Sequence, residues 1–406
     1  MRSVIAQVLR SANLLAPVYP APAFLAPILL PLALLLPLTL AACDVQPETA
    51  RHAFSWRESV RDMRDALLGS CSHNGTLFAV GGRSQRGAVY RLSGGRWRQE
   101  AARLDGKRLW ACWAGPDEQI IAVGQSGTIF HHSREGWHKA ELPEDVQNAN
   151  LYSVWGMQDG TAVAVGGGLN GPRDLAVILQ YDGQIWTRAD ASRVNTKTLR
   201  AVWGSSVDDY WAVGDLGEIT HFDGTQWTNV NSQVSDRLKA VYGASASEVY
   251  AVGGTGRGVI LRWNGSSWVS FDEMEDSLNT VWTQANNSLY VGGEDGFLSR
   301  YHRGNSLPLI DRKDTNRSFP QLRVQSLSGF GASVFAAAST IETDIDGEWR
   351  GAVLGLNRRF GGLVVVDPAP DAGASPDAQP ADAGVSDAGA EDAASEDAAS
   401  GTSRAG

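Results

Sequence analysis

The stretch that decides the fold is Leu199-Arg-Ala-Val-Trp-Gly204, followed by Ala212-Val-Gly214 and Phe222-Asp-Gly-Thr-Gln-Trp227. Variants of this phrase return about every 42 residues through most of the chain. A period of about 40–50 residues, made of short apolar runs and glycine turns, is typical of a β-propeller blade. The repeat therefore predicts an all-β protein built from similar small sheets.

Each repeat supplies four short antiparallel strands. The first is the Leu-x-x-Val-Trp-Gly stretch, the second runs into Ala-Val-Gly, and the third alternates apolar and other residues, as in Gly258-Val-Ile-Leu-Arg-Trp263. A turn such as Asp223-Gly224 then leads to a tryptophan that opens the fourth strand. Because Asp-Gly suits tight hairpins, we expect a turn in which both central residues have positive φ.

Seven repeats can be traced. Their first strands begin at Leu67 or Leu68, Leu109, Leu151, Leu199, Leu238, Leu278 and, weakly, Leu322. In the degenerate seventh repeat, Leu363-Val-Val-Val366 replaces the tryptophan-led strand. Upstream, Phe54-Ser-Trp-Arg57 resembles an orphan fourth strand that would close the ring and cover its free edge, with Trp56 packed against the last blade. Residues 54–366 are thus predicted to form seven four-stranded blades, with six blades plus capping strands as the alternative.

Aromatic residues recur at two positions of the repeat. One set lies in the first strands: Trp113, Trp155, Trp203, Tyr242 and Trp282. The other opens the fourth strands: Trp97, Trp137, Trp186, Trp227 and Trp268. Such rings could stack on a sugar or a cofactor, but recurrence from blade to blade favours packing between neighbouring sheets, where each ring buries 150–250 Å².

The N-terminus has the organisation of an export signal. Arg2 and Arg10 give a basic start, and the apolar run Ile28–Leu40 has the length of a signal-peptide core. It ends in Leu40-Ala-Ala-Cys43, which resembles the lipobox of bacterial lipoproteins. This resemblance implies that residues 1–42 are a signal peptide, that Cys43 carries the lipid, and that residues 43–53 link the anchor to the propeller. A membrane-spanning anchor and ordinary secretion are the alternatives.

The C-terminus is of a different composition. Residues 367–406 contain nine carboxylates against Arg404, no aromatic residue, and from Asp377 onward a five-residue repeat that begins with Asp-Ala. Such a segment cannot bury enough apolar surface to fold, so we expect a disordered acidic tail. The tail carries most of the net charge of −10, and the remainder has no concentrated basic segment that would indicate nucleic-acid binding.

Two cysteines, Cys71 and Cys112, lie within the repeats, and both align with the valine of the Leu-x-x-Val phrase. Equivalent positions in adjacent blades would be separated by roughly the 10 Å between packed sheets, whereas a disulfide needs Cα atoms within about 7 Å. Two buried free thiols are therefore favoured over a disulfide, although an exported chain can form one.

The motifs Trp203-Gly-Ser-Ser206 and Trp211-Ala-Val-Gly214 resemble those of BNR-like and photosystem-assembly-factor-like propellers. They are especially similar to the repeats of lipoproteins from myxobacterial envelopes. The resemblance covers residues 66–300 well and 322–366 poorly. It implies an extracytoplasmic propeller without an assured activity. The turn at Asp182–Trp186 departs from the Asp-box Ser-x-Asp-x-Gly-x-x-Trp, which puts a sialidase relationship in doubt.

Residues with specific chemistry are sparse, and we assign no catalytic, cofactor-binding or metal-binding residue. His131 and His132 are adjacent on a strand and should point to opposite faces. The stretch Asp344–Glu348 is better interpreted as an acidic surface turn than as a calcium loop. Three connections of unusual length are candidates for partner contact: Gly167–Leu175, Arg188–Thr198 and Gly304–Gln321.

The sequence favours a non-enzymatic lipoprotein of the bacterial envelope, attached to the inner or outer membrane and facing the periplasm or the cell surface. Its propeller, expected to be monomeric, would present a rigid binding or scaffold surface to a protein or glycan, with no nucleic acid and no cofactor. The alternatives are a glycoside hydrolase or lyase acting at the channel face, and an assembly factor of an envelope complex.

Overall fold

The computed structural model describes residues 56–356, apart from 64, 84–85, 94–95, 105–106, 169–175, 195–197, 285–287, 303–304, 311–321, 331–332 and 341–350. The chain divides into Met1–Ala50 and Arg51–Gly406, and all described residues belong to the second unit. They form seven four-stranded antiparallel sheets. The prediction of an all-β propeller with seven blades is confirmed, and the six-bladed alternative is wrong.

The strands follow the order expected from the repeat, innermost strand first. After β1 (Trp56–Met63), the first three blades are β2 (Ala66–His73), β3 (Thr76–Arg83), β4 (Arg86–Ser93), β5 (Arg96–Leu104); β6 (Leu109–Ala114), β7 (Ile120–Gly124), β8 (Ile129–Ser133), β9 (Gly136–Lys139); and β10 (Asn150–Gly156), β11 (Ala162–Gly167), β12 (Val177–Tyr181), β13 (Trp186–Arg188).

The next three blades are β14 (Leu199–Ser206), β15 (Asp209–Gly214), β16 (Ile219–Phe222), β17 (Trp227–Val230); β18 (Leu238–Ser245), β19 (Glu248–Gly253), β20 (Gly258–Trp263), β21 (Trp268–Met274); and β22 (Leu278–Gln284), β23 (Ser288–Gly293), β24 (Leu298–His302), β25 (Asn305–Ile310). The seventh blade contains β26 (Leu322–Phe330), β27 (Ser333–Thr340) and β28 (Gly351–Leu356).

The seventh blade takes its outer strand from the beginning of the propeller. Strand β1 pairs antiparallel with β28, and Trp56 lies opposite Leu356 in the register. A seam strand from the start of the propeller is thus confirmed, but it runs from Trp56 to Met63 and not over Phe54–Arg57. It occupies the fourth-strand place of the seventh blade that the sequence assigned to Leu363–Val366. The side chain of Trp56 and the segment 363–366 lie outside the described residues. On the inner side of this seam, Ser70 N–H donates to Ser326 Oγ at 3.0 Å, and Ser72 Oγ donates to the carbonyl of Gly329 at 2.7 Å.

The connection from β1 into the first blade is held by a buried carboxylate. Asp65 is almost inaccessible to solvent, and its Oδ2 accepts a hydrogen bond of 2.7 Å from the hydroxyl of Tyr90. The guanidinium of Arg86 lies 3.4 Å from its Oδ1. The strand that closes the ring is therefore tied to the blade that opens it by a charge-assisted network.

The glycine of each Ala-Val-Gly segment has a backbone contact that explains it. A Cβ on Gly214 would lie only 2.2 Å from the carbonyl oxygen of Thr198, just before β14. The same oxygen accepts a hydrogen bond from the amide of Asp215. This close crossing coincides with a β-bulge: Leu199 pairs with Gly214, Ala201 pairs with Val213, and the residue between them has no partner in the ladder.

The bulge defines the register of the weak seventh repeat. Val324 pairs with Ala338 and Ser326 pairs with Ala337, which leaves Gln325 as the bulged residue. Val324, and not Leu322, is therefore equivalent to the leucine of the repeat. The prediction that β26 begins the repeat at Leu322 is wrong in register, because the degenerate sequence offers two aliphatic residues two positions apart.

The glycine of the Trp-Gly phrase is explained by a second contact. In the even-numbered blades, the aromatic ring of the first strand lies against the glycine of the following blade. A Cβ on that glycine would come within 3.0 Å of the ring in three pairs: Trp113 with Gly156, Trp203 with Gly243, and Trp282 with Gly329. The predicted packing between neighbouring sheets is thus confirmed for these rings.

The aromatic residues of the third and fifth blades behave differently. The rings of Trp155 and Tyr242 make an edge-to-face contact with centroids 5.5 Å apart, although the fourth blade separates them in sequence. Both also pack against Trp203. Inner strands converge toward the axis, so these side chains reach beyond the neighbouring sheet and meet near the channel. Burial raises the pKa of Tyr242 to about 12.

The fourth-strand tryptophans and the turns before them are structural. Trp97, Trp186, Trp227 and Trp268 are all buried, and Trp137 is half-buried. In the turn at Asp223, Gly224 has φ +88° whereas the next central residue, Thr225, does not have positive φ. The expectation of two positive-φ central residues is therefore wrong: glycine occupies the first central position, as in a type II′ turn. The carboxylate of Asp223, the residue before this glycine, accepts hydrogen bonds from the backbone amides of Thr225 and Gln226.

Cys71 and Cys112 form a disulfide, with Cα atoms 5.6 Å apart, so the preference for free thiols is wrong. Leu67 and Leu109 occupy equivalent places in the ladder, which puts Cys112 at the valine position but Cys71 one residue later, at the position of Trp113. Successive side chains of a strand point to opposite faces. Cys71 therefore faces the second blade, and Cys112 faces back toward the first.

The glycine contact yields a stability prediction. We expect Gly214→Ala to lower the free energy of unfolding by about 1–3 kcal/mol, because its Cβ would overlap a backbone oxygen that cannot move independently. Gly183→Ala is the control, since a Cβ there meets no atom within 4 Å and only its φ of +96° is unfavourable. Urea unfolding measures both variants. A Gly214→Ala protein as stable as the wild type would contradict this reasoning.

The disulfide yields a second prediction. The double variant Cys71→Ser/Cys112→Ser should lose about 2–4 kcal/mol of stability, because the bridge closes a loop with a sequence separation of 41 residues. Thiol titration of the unreduced, denatured protein should find neither cysteine reactive. Two reactive thiols at positions 71 and 112 would show that the blades are not bridged.

Candidate functional site

The ring has two chemically different faces. Because every blade is the same four-stranded meander, the connections into the first strand and those between the second and third strands emerge together at one face, which we call the mouth face. The Asp-Gly turns lie at the opposite face, the turn face. The long connections predicted to contact a partner attach at the mouth face, although residues 169–175, 195–197 and 311–321 lie outside the described residues. The third prediction, Gly304–Gln321, is wrong in its first part, because Asn305–Ile310 is strand β25 and pairs with β24.

The bulged residues form a ring at the mouth face. Each inner strand contains one residue that its ladder leaves unpaired: Leu68, Trp110, Tyr152, Arg200, Lys239, Asn279 and Gln325. All of them except the buried Leu68 are partly exposed. The first three blades supply apolar or aromatic members, and the other four supply cationic or amide members. The rings of Trp110 and Tyr152 pack with centroids 5.7 Å apart. The mouth is therefore divided into an aromatic half and a polar half.

Arg200 joins the two halves. Its guanidinium lies 4.5 Å from the centroid of the Tyr152 ring, within the range of a cation–π interaction. It also donates to both oxygens of Asp215, from Nε at 3.1 Å and from an η nitrogen at 2.9 Å. A second guanidinium, that of Arg237, lies 2.7 Å from Asp215 Oδ1. One carboxylate is thus shared by two arginines.

Lys239 is the centre of the polar half. Its ammonium donates to Ser277 Oγ and to Asn279 Oδ1, both at 2.8 Å, and lies 4.0 Å from Glu294 Oε1. Glu294 also accepts hydrogen bonds from Asn279 Nδ2 at 3.1 Å and from Arg323 Nε. The network spans the inner ends of the fifth, sixth and seventh blades.

Among the described residues, ion pairs join Arg200, Arg237, Lys239 and Arg323 to Asp215 and Glu294. Further carboxylates stand on the same face, those of Glu218, Asp236, Asp276 and Asp295. Burial lowers the pKa of Lys239 and Glu294 opposes this, while the three surrounding guanidinia add to the lowering. Burial alone would raise the pKa of Asp215, but Arg200 and Arg237 hold it below its usual range.

An exposed leucine stands beside these charges. Leu216 follows Asp215 in a short turn, is 82% exposed, and has φ +61°, a conformation that non-glycine residues seldom adopt. The equivalent turns of the second and sixth blades have the same left-handed backbone at Ser126 and Asp295.

The structure places other predicted residues away from this site. His131 stacks on His138 and accepts a 2.8 Å hydrogen bond at Nε2 from the indole of Trp186, whereas His132 Nδ1 lies 3.0 Å from the carbonyl of Glu118. The prediction that the two histidines face opposite ways is confirmed. Within the described residues, no group of three or more His, Cys, Asp or Glu side chains is placed to hold a metal ion. The lipid-attachment residue Cys43, the anchor segment 43–53, the turn 344–348 and the tail 367–406 lie outside the described part of the chain.

Sequence reasoning missed the mouth residues because they occupy the first variable position of Leu-x-x-Val, where no residue type recurs. The signal was present in a different form. Reading that position alone along the repeats gives Trp110, Tyr152, Arg200, Lys239 and Asn279, a sequence of large aromatic and polar side chains at a place where strands usually carry small or apolar ones. The bulge that makes this position face the mouth is not visible in the sequence.

Comparison with solved structures identifies the fold and not a family. The WD40 β-propeller domain of Doa1 is similar at 10% identity, with a TM-score of 0.57 over 76% of this chain and 98% of that chain. Streptogramin B lyase is similar at 13% identity, with a TM-score of 0.57 over 75% and 98%. YCF48 bound to D1 peptide is similar at 14% identity, with a TM-score of 0.53 over 75% and 96%. No protein-family model and no curated protein matches the sequence.

These neighbours confirm the propeller class expected from the repeats, and they include proteins of different functions. Identities of 10–14% carry no residue correspondence. In the described part of the chain, no helix has the length and hydropathy needed to span a membrane.

The half-buried side chain of His131 generates a pH prediction. Burial, with a smaller effect from His138, lowers the pKa of His131 to about 4 from the usual 6.5. The unfolded chain therefore binds more protons between these values, so the stabilisation is complete above pH 6.5 and is lost as the pH falls toward 4. The urea midpoint should decline across this window. His131→Gln, which cannot protonate, should reduce the decline, whereas His132→Gln should retain it; equal slopes in both variants would contradict the prediction.

Proposed function

We propose that this chain is an exported lipoprotein whose seven-bladed propeller is a non-enzymatic binding module for a protein partner, which it engages at the mouth face. The observation that carries the proposal is the ring of bulged side chains, which brings Trp110 and Tyr152 together with Arg200 and Lys239 at one opening. Aromatic residues and arginine are the side chains most enriched where protein surfaces bind strongly.

The position of the long connections supports the same face. They attach at Gly167, Val194 and Ile310, and the first two adjoin through the bridge between Gly167 and Thr198. Binding residues are often carried on loops held by a rigid scaffold. A partner seated on the mouth would contact these connections as well as the bulged side chains.

The neighbours of known structure are compatible with this role. One of them, YCF48, was solved with D1 peptide, so a propeller of similar architecture binds a peptide. For this chain we propose the same general mode, a protein segment held by the propeller, and no correspondence of residues. An assembly factor of an envelope complex is a narrower form of this proposal, in which the partner belongs to one fixed multi-subunit complex.

The proposed location rests on the lipobox resemblance. Lipid on Cys43 would hold the propeller at the inner or outer membrane, toward the periplasm or the cell surface. The segment 43–53 reaches at most about 35 Å when extended, so the partner would be met close to the bilayer. The similarity to myxobacterial repeat lipoproteins agrees with this arrangement.

A glycoside hydrolase or lyase is the second candidate, and one observation favours it. Asp215 and Glu294 lie at the mouth with Arg200, Arg237 and Arg323, a set of carboxylates and arginines from different blades. However, glycoside hydrolysis needs a carboxylic acid that stays protonated. The two arginines that hold the pKa of Asp215 low make it a poor proton donor, which argues against this residue as the catalytic acid.

Crosslinking of intact cells tests the proposal. The variant Arg200→Ala/Lys239→Ala should reduce capture of the partner at least tenfold, a change of about 1.4 kcal/mol. The matched control, Arg134→Ala/Lys139→Ala, removes two positive charges from exposed residues outside the mouth and should capture normally. Equal capture by both variants would refute mouth binding. Turnover of a glycan that depends on Asp215 would establish the enzyme instead, and recovery of a bound glycan with no protein would replace the protein partner.

A further inference from the structure

The closing strand β1 determines the face at which the propeller is attached to the chain before it. In the seventh blade, β28 runs from the mouth face to the turn face, and β1 is antiparallel to it. Trp56, the first residue of β1, lies opposite Leu356 at the turn face, and Met63 lies opposite Gly351 at the mouth face. The chain therefore enters the propeller at the turn face, on the outer edge of the seventh blade.

This entry point is close to the proposed lipid in sequence. Cys43 precedes Trp56 by 13 residues (56 − 43). A chain of that length spans at most about 45 Å, whatever its conformation. A six-residue strand such as β15 is about 20 Å long, so the mouth face is about 20 Å farther along the axis than the entry point. The turn face is therefore the face that the anchor attaches nearest to the bilayer.

The turn face also carries exposed apolar side chains. Ile185, in the turn between β12 and β13, is 60% exposed, and Val207, in the turn between β14 and β15, is 44% exposed. Val269, near the turn-face end of β21, is 38% exposed. Among the described residues, these are three of the four exposed large apolar side chains, and the fourth is Leu216 at the mouth face. In a ring of seven blades, the third and fourth lie farthest from the seventh, so Ile185 and Val207 are on the side opposite the entry point.

The charge of these turns limits the kind of surface they can meet. The described turns of the third and fourth blades at this face contain no lysine or arginine, and their carboxylates are Asp159, Asp182, Asp208, Asp209 and Asp223. Hydrogen bonds from the Thr225 hydroxyl and from backbone amides lower the pKa of Asp223 to about 2, so this group stays ionised. Anionic lipids would be repelled by these turns, whereas the ammonium of a zwitterionic headgroup can pair with them.

We propose that the turn face of the third and fourth blades rests on a bilayer of zwitterionic lipids, so that the mouth opens away from the membrane. This inference rests on the proposed function, because it needs the lipid on Cys43. The anchor holds the edge at the seventh blade, and Ile185 and Val207 enter the headgroup region on the opposite side, where their apolar side chains leave water. Two attachments on opposite sides keep the face parallel to the bilayer. The segment that the mouth binds is then exposed to water and not embedded in lipid.

Fluorescence quenching in vesicles tests the orientation. The lipidated full chain is reconstituted into phosphatidylcholine vesicles whose headgroups carry a nitroxide, with a fluorophore at Gln226→Cys or at Ser235→Cys. Both residues are exposed, the first at the turn face of the fourth blade and the second at the mouth face in the connection to the fifth. The native Cys71 and Cys112 are bonded to each other and do not react with the label. We expect strong quenching at position 226 and loss of it at position 235, because the nitroxide acts only at close range; equal quenching at both positions would overturn the orientation.

Matched surface variants test the contact itself. Ile185→Ser/Val207→Ser should lose most of the quenching at position 226, because the opposite side of the ring is no longer held at the bilayer. Leu216→Ser removes the exposed apolar side chain of the mouth face and should retain the quenching. Replacing part of the lipid by anionic phosphatidylglycerol should weaken the quenching at low salt, because the aspartates are repelled. Quenching that survives Ile185→Ser/Val207→Ser would show that these side chains do not rest on the bilayer and would overturn the contact.

The two proposals fail in different ways. A full chain that does not float with vesicles would reject the lipid anchor and the orientation together, while capture that depends on Arg200 and Lys239 would leave the binding module standing. A chain that floats, with stronger quenching at position 235 than at position 226, would reject the orientation and leave the anchored binding module standing.

Discussion

The propeller depends on a close backbone contact in which a carbonyl oxygen before the inner strand occupies the place where a side chain at the end of the second strand would lie. At Gly214 the oxygen of Thr198 is 2.2 Å from the place of a Cβ, and at Gly253 the oxygen of Arg237 is 2.0 Å from it. At these positions glycine allows the chain that enters the inner strand to cross the end of the second strand so closely. The bulge accompanies the crossing, and it also forms in the seventh blade, where Ala338 occupies the glycine position. The bulged position holds a different residue type in every blade.

This relation explains how a repetitive scaffold can carry a specific surface. The bulged residue has no partner in the ladder, so the blade forms whether the position holds Leu68, Tyr152 or Lys239. Selection can therefore change the mouth from aromatic to cationic without altering the packing between blades. Rings on glycines and buried fourth-strand tryptophans keep the sheets in place, and the mouth residues act on a rigid frame.

Features that depend on a local sequence pattern could be predicted from the sequence. Features that depend on the exact strand register, where a shift of one residue changes the outcome, could not. Seven blades and the seam strand near Trp56 follow from phrases that recur in linear order. The side that Cys71 faces does not, because Leu67 and Leu68 are equally acceptable starts and a slip of one residue reverses every side chain. The meeting of Trp155 with Tyr242 joins blades that are not neighbours, and the mouth network joins positions whose residue types share nothing along the chain.

The aromatic rings that pack against glycines of the following blade alternate between even- and odd-numbered blades. They occur in the second, fourth and sixth blades. The true unit of repetition is thus a pair of blades, and an odd number of blades cannot alternate around a closed circle. Two blades of the same type must meet, and they do so between the seventh and the first, where serines replace the ring-on-glycine contact. Because this one contact differs from the others, the blades are not equivalent by rotation about the axis. The junction between the seventh and first blades is distinguished from every other junction in the propeller.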